Sequence, residues 1–321
     1  MINYRCRAGH RPAEVEIIHL EYNASAGRNL MTAKTKPAVN PLFVMIIGVL
    51  GVSFSAILVR STGAPPAIIA FYRLLFSCIL LFPLAVSGFS EIKALGRREL
   101  WLCMLGGFFL AFHFIFWFTS LGFTSVSSST LLVNLHPLVV VTACWLFFGE
   151  KLHRWALPGT VVAVTGIALL GWGDLQLTGD ALIGDLYALA GAVMVAGYYL
   201  VGRHVRPLLS IAPYALLVYG ASTIVLLVYN LLLDNPLTGY AGNDWVIFVA
   251  LAVIPTIFGH TLLNWALRYV SASAVSISVL AEPVLATLLA IPFLAEIPGP
   301  LQIAGGLLVL LGIWLFLHRR R

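Results

Sequence analysis

The chain has 321 residues, of which 60% are apolar and only 10% charged, with a formal net charge of +6. A soluble domain carries about 25% charged residues because its surface must face water, so this chain cannot cover a globule of its own size with polar groups. It belongs in a bilayer, which excludes a soluble enzyme, a nucleic-acid binder and a disordered protein.

Residues 1–40 differ from everything after them. They are polar, carry no sustained periodicity and lack the apolar run of a signal peptide. They read as a cytoplasmic tail. Met31 followed by Thr-Ala-Lys-Thr-Lys would make a normal short start, so residues 1–30 are expected to be a start-site artefact. Ten stretches then approach the ~20 apolar residues a helix needs to cross a bilayer: 41–60, 66–87, 100–121, 126–148, 155–173, 182–202, 212–233, 245–267, 272–294 and 300–318. Runs this long without two-residue alternation are helices. Trp101, Trp145, Trp155, Trp172, Trp245 and Trp314 fall near the span ends, where an amphipathic ring prefers the interface. Residues 319–321 close the chain as a basic tail. The four cysteines, Cys6, Cys78, Cys103 and Cys144, form no close pair and read as small core residues rather than as a disulfide framework or zinc site.

Charge sets the orientation. With the N-terminus inside, seventeen of the nineteen Lys and Arg fall in the tails or inner connections; Arg60 lies outside and Arg73 within a span. The outer connections carry Asp174, Asp180, Asp234 and Asp244 instead. By the positive-inside rule both termini are cytoplasmic, and the cytoplasmic (inner) membrane is the expected location.

Shifted by 146 positions, the sequence aligns with itself without gaps. Ser125 meets Ser271, Pro137 meets Pro283, Glu150 meets Glu296, Gly159 meets Gly305 and Gly166 meets Gly312, with Leu121, Ser127, Val133, Phe147, Ile167 and Leu169 also matched by identical residues. Each half, 41–173 and 174–318, then holds five spans, and an odd number turns the second half upside down. Inverted repeats are a hallmark of secondary transporters, whose substrate site lies near the midplane where the halves meet.

The segments Leu280-Ala-Glu-Pro-Val-Leu, Phe293-Leu-Ala-Glu296 and Gly305 to Gly312-Ile resemble the end of an EamA-type domain, the repeating unit of the drug/metabolite transporter superfamily. Leu135-His-Pro-Leu, Phe148-Gly-Glu-Lys-Leu and Gly159 to Gly166-Ile stand at the equivalent places of the first half. The resemblance covers about residues 40–318. It implies an all-α membrane protein of ten helices in two inverted five-helix repeats, termini inside, a central cavity, peripheral fifth and tenth helices, and export of small metabolites. One departure is that Asn134 and His136 stand where the second half has Leu280 and Glu282.

An ionisable side chain at membrane depth is a functional-site hypothesis by default, and Arg73, His113, His136, His260 and Glu282 qualify. Glu282 lies roughly 15 Å into its span at 1.5 Å per residue, near the midplane. Its repeat-mate His136 also precedes a proline, so the two are the proton-coupling candidates, against the plainer reading of satisfied buried groups. Arg73, roughly 10 Å deep, keeps its charge and needs an acceptor: Glu282, a backbone carbonyl or a substrate carboxylate. Trp117, Asn134, Tyr198, Tyr199, Asn264 and Trp265 lie near mid-depth beside these residues and complete the substrate-binding candidates, since pockets combine apolar walls with a few placed polar groups. Any one of these aromatics is more readily ordinary packing. Glu150 and Glu296 sit at span ends and read as structural. The glycines at 159, 166, 305 and 312 read as a packing stripe, with a homodimer seam as the alternative.

The sequence holds no Walker A loop, no His-Glu-x-x-His and no Gly-x-Ser-x-Gly, so neither ATP nor intramembrane hydrolysis has its usual machinery. No enzyme activity, cofactor or metal is expected. The expected partners are a small metabolite, amino-acid-like for preference, protons and membrane lipids, in a monomer or weak homodimer working by alternating access. A non-transporting or lipid-handling subunit and a haem-binding redox protein are the competing readings.

Overall fold

Every regular element in the described part of the chain is helical. The computed structural model describes residues 37–152, 154–171, 179–294 and 297–318, without the side chains of Ser127, Ala290, Phe293 and Leu294. The expectations for residues 1–36, Trp172, Gly173, Asp174, Glu296 and 319–321 lie outside it.

Asn40 opens α1 (Pro41–Ser53), its Oδ1 accepting from the Leu42 amide at 3.0 Å. A turn at Phe54 leads into α2 (Ser55–Arg60). Then follow α3 (Pro66–Val86), the short α4 (Phe89–Lys93) and α5 (Arg97–Phe123). α6 (Val126–Val133) is separated from α7 (His136–Phe148) by two residues, and α8 (Ala156–Leu170) ends the first half. The second half holds α9 (Gly179–Val205), α10 (Ile211–Leu232), α11 (Gly242–Leu251), a π-helix at Ala252–Thr261, α12 (Leu262–Ala266), α13 (Ala272–Val279), α14 (Glu282–Leu294) and α15 (Pro300–His318). Among the described residues nine helical stretches are long and apolar enough to cross a membrane. The tenth apolar stretch, α8, has 15 residues, about 22 Å at 1.5 Å per residue.

Proline dictates the two breaks. Pro137 and Pro283 have no amide hydrogen, and each ring crowds the carbonyl four residues earlier, so the helix stops at Val133 before the one and at Val279 before the other. Ser125 and Ser271 start the preceding helices in the same way, accepting from the amides of Ser128 at 3.0 Å and Ala274 at 3.3 Å. After α7 the chain reverses through Gly149, whose φ of 61° is open to glycine at little cost.

Leu42, Phe43, Ile46, Phe82, Leu84, Trp101, Trp145, Phe147, Leu157, Leu232 and Trp314 are exposed around the bundle, an outer surface suited to lipid. Inside, α5 packs along α9 and α1 along the π-helix; α3 and α5 flank α10; α8 runs along α15. The α8–α15 contact is made of backbone. A Cβ on Gly166 would lie 2.6 Å from the Gly305 oxygen, and one on Gly159 would lie 2.8 Å from the Gly312 oxygen. The glycine stripe therefore closes the chain on itself.

Polar contacts tie the bundle at both ends. At one, Glu91 accepts from the Ser210 amide and hydroxyl at 2.6 and 2.9 Å, and Arg203 pairs with Glu150 at 3.6 Å. Arg206 donates to the carbonyls of Asn264 and Leu209; burial holds its guanidinium below the ordinary arginine range, at about 10. At the other end Arg60 donates to the Thr124 carbonyl at 3.0 Å, Thr62 to Asp244 at 2.6 Å and Ser128 to Asp185 at 2.7 Å.

Candidate substrate site at the two helix breaks

The breaks before His136 and Glu282 meet at the centre of the bundle. There a cavity of about 30 Å³ is lined by Ser55, His113, Trp117, Asn134, His136, Tyr199, His260 and Glu282, with Val52, Val133, Val195 and Val279 as its apolar wall. One ordered water needs about 10–15 Å³ on such a measure, so the closed centre admits little more than solvent.

Several of its polar groups have fixed roles. Pro137 leaves the Val133 carbonyl without its usual donor, and His136 Nδ1 faces that carbonyl at 3.2 Å. A carbonyl can only accept, so Nδ1 carries the hydrogen and Nε2 of the neutral ring is an acceptor; it is buried and has no partner. The ring stacks on Tyr199, centroids 5.5 Å apart. By the same logic the His113 Nδ1 donates to the Gly191 carbonyl at 3.0 Å. Its ring stacks on Trp117 and meets His260 edge to face. Asn134 donates to the Thr130 carbonyl at 2.8 Å, which fixes its amide orientation and leaves Oδ1 buried and unpartnered. Its side chain also stands beside the Glu282 carboxyl.

Arg73 lies one layer behind, fully buried. Its Nε donates to Thr256 at 2.7 Å and Nη1 to Ser55 at 2.8 Å, and the guanidinium covers the Phe114 ring at 4.2 Å. Nη2 has no partner. Among the described residues no carboxylate comes within ion-pair distance, and Glu282 acts on it only through space. Neither Glu282 nor a backbone carbonyl, two of the acceptors anticipated from sequence, bonds to it among the described residues; hydroxyl groups and a ring face hold the cation. Thr256 reaches Arg73 from the π-helix, where its hydroxyl bonds back to the Leu251 carbonyl and its own carbonyl accepts from Thr261. π-helical turns concentrate at functional sites.

Seven of the eleven anticipated residues therefore line one cavity: His113, Trp117, Asn134, His136, Tyr199, His260 and Glu282. Arg73 touches it through Ser55. Tyr198 and Asn264 bond to each other behind His260. Trp265 packs on Tyr269 away from it. No hydrogen bond joins His136 to Glu282 among the described residues. Sequence reasoning passed over Ser55, whose signal is only that it follows Ser53 in an apolar run. It also passed over Asp185, buried in α9 and bonded to Ser128.

A second cavity of about 920 Å³ opens beside the first. Neighbouring residues border the two: Ser55 with Ala56, Val133 with Thr130, and Glu282 with Pro283. It runs between Arg60, Ser125, Gly171, Thr287 and Gln302, at the end of the bundle tied by Arg60 and Thr124.

The sequence matches the EamA-like transporter family twice, over residues 40–172 and 182–318. The chain belongs to that family. This EamA-like chain is similar to an uncharacterized transporter, YxxF, of Bacillus subtilis (strain 168), with 25% identity over 263 residues, 81% of this chain and 84% of that one. It is similar to a probable terminal-alkyne amino-acid exporter of Streptantibioticus cattleyicolor, with 27% identity over 203 residues, 60% of this chain and 64% of that one. The pseudopaline exporter CntI of Pseudomonas aeruginosa is 23% identical over 252 residues, 78% of this chain and 85% of that one. A solved crystal structure shares the fold with a TM-score of 0.70 at 21% identity, covering 86% of this chain and 95% of that one. The chain is thus a multi-pass membrane protein of a transporter family.

Proposed function

We propose that this EamA-like chain is a secondary carrier that exports small amino-acid-like solutes across the cytoplasmic membrane by alternating access. It crosses ten times, with both termini cytoplasmic, as two inverted five-helix repeats over 41–173 and 174–318, and works as a monomer or weak homodimer. The observation that carries the reading is the central cavity: two helices broken at the same register, each resuming with an ionisable residue and a proline, converge on a shared polar centre. Broken helices at a midplane site are how carriers expose backbone and polar groups to a solute.

The helix contacts support the inversion. Exchange of the halves turns α5 on α9 into the π-helix on α1, and returns α3 on α10 and α8 on α15 to themselves. Gly159 has Gly305 as repeat-mate but meets Gly312, and Gly166 has Gly312 as mate but meets Gly305, which is the pattern of two antiparallel helices about a two-fold axis. Arg73 supports the solute class. A guanidinium cannot shed its charge, and one buried without a carboxylate suits a site where the solute brings it. The amino-acid exporter among the relatives agrees with that class.

The test is uptake into proteoliposomes of a labelled amino-acid pool, with and without a pH gradient, for wild type and Glu282→Gln. Saturable uptake is expected, concentrated by the gradient in wild type and only equilibrated by the mutant. Equal accumulation by both would remove Glu282 from coupling; a complete lack of saturable uptake of any labelled metabolite would refute the carrier.

A further inference from the structure

Resting on the carrier reading, the central cavity narrows the solute chemistry further. Its lining offers both acceptors and donors to one solute. On the side of the helix breaks stand acceptors: the Asn134 Oδ1 and the His136 Nε2, both buried and unpartnered, and the Glu282 carboxyl beside Asn134. Donation to the carbonyls of Thr130 and Val133 fixes the Asn134 Oδ1 and the His136 Nε2 as acceptors, and the second amide hydrogen of Asn134 is left for the Glu282 carboxyl beside it. Donors line the same cavity. Trp117 Nε1 is buried and unpartnered, and the Ser55 oxygen already accepts from Arg73, which leaves its own hydrogen to give.

We infer that the acceptors are a seat for a primary ammonium group. Such a group has three N–H donors, one each for Asn134, His136 and Glu282. The donors, with the Arg73 charge behind Ser55, are then left for the carboxylate of the same solute. A quaternary ammonium has the charge but no N–H, and a deaminated acid has neither; each leaves the buried acceptors unpaired, which costs a site built for hydrogen bonds far more than a lost methylene. The body of the solute goes to the larger cavity, whose walls include Ala56, Ile57, Leu131, Ile167 and Pro283.

The test is competition for uptake in proteoliposomes by L-phenylalanine, its N,N,N-trimethyl betaine and 3-phenylpropanoate, alongside direct uptake of labelled phenylalanine and a broad labelled metabolite pool. Phenylalanine is expected to be carried, and both analogues to be at least about tenfold weaker, the cost of one charge-assisted hydrogen bond at roughly 1.5 kcal/mol. His136→Phe keeps the ring on Tyr199 but removes Nε2, and Asn134→Leu installs the residue found at its repeat-mate. With melting temperatures near wild type, both should narrow the gap between phenylalanine and 3-phenylpropanoate. Analogues that compete as well as phenylalanine, or a gap unchanged in both variants, would overturn the ammonium seat and leave the carrier standing. Uptake of pool members but not of phenylalanine would do the same. Failure of the whole pool would bring down the carrier reading as well.

Discussion

Arg73 shows how a membrane-buried charge is held. Its two hydroxyl partners and the Phe114 face satisfy part of the guanidinium, while Nη2 and the net charge remain uncompensated by any described carboxylate. Replacing a buried ionic group by an apolar side chain of similar volume is often neutral or stabilising. Arg73→Met is therefore expected to keep or raise the melting temperature while uptake of a carboxylate-bearing solute falls at least about tenfold, from the loss of a charge-assisted bond worth about 1.5–3 kcal/mol. A parallel loss of both would make Arg73 a structural post. The polar residues of this centre were legible because a His, Glu or Arg stands out in an apolar run. Their partners were not. Ser55 and Thr256 are ordinary residues of their own helices and gain meaning only when α2 and the π-helix bring them to Arg73. Asp185 was passed over because it lies one turn beyond the acids read as loop residues.

At the scale of elements, the anticipated spans fall within a few residues of the observed helices, since length and apolarity are written into the composition. What composition hides is the path of the backbone. The stretches 126–148 and 272–294 read as single helices, yet each breaks before its His-Pro or Glu-Pro pair. Pro137 and Pro283 signal the place, but a proline can also merely kink a helix. The π-helix was not legible: Pro255 within it marks a disturbed helix but not a wider turn, and the back-bonds of the Thr256 and Thr261 hydroxyls, each to the carbonyl five residues earlier, show only in the fold. The glycines are a clearer case. A methyl group on Gly166 would stand 2.5 Å from the Val309 nitrogen, against backbone that cannot yield without moving α15. Gly166→Ala is expected to destabilise the fold by roughly 1–3 kcal/mol as an overpacked site. Gly220→Ala, with nothing within 4 Å of its added methyl, should be neutral or stabilising by up to about 1 kcal/mol. Thermal unfolding in one detergent, compared across the pair, checks both.

At the scale of the whole molecule, the two cavities differ in access. The larger one opens beside Arg60 and Gln302, whereas Glu91 with Ser210 and Arg203 with Glu150 tie the opposite end. If the termini are cytoplasmic, this is a state open to the outside. Thr287→Cys, in a chain whose own cysteines are replaced by alanine, is expected to react with a membrane-impermeant thiol reagent applied outside intact cells, and cysteine at the exposed Leu208 to stay protected. The reverse pattern would invert the assigned orientation. The seam of α8 and α15 carries a different lesson. Its two contacts use one spacing, a glycine and a second glycine seven positions on, written once in each helix. Such a surface recognises a reversed copy of itself. Folding needs no lock distinct from its key here, and a damaged copy in either helix spoils the fit for both.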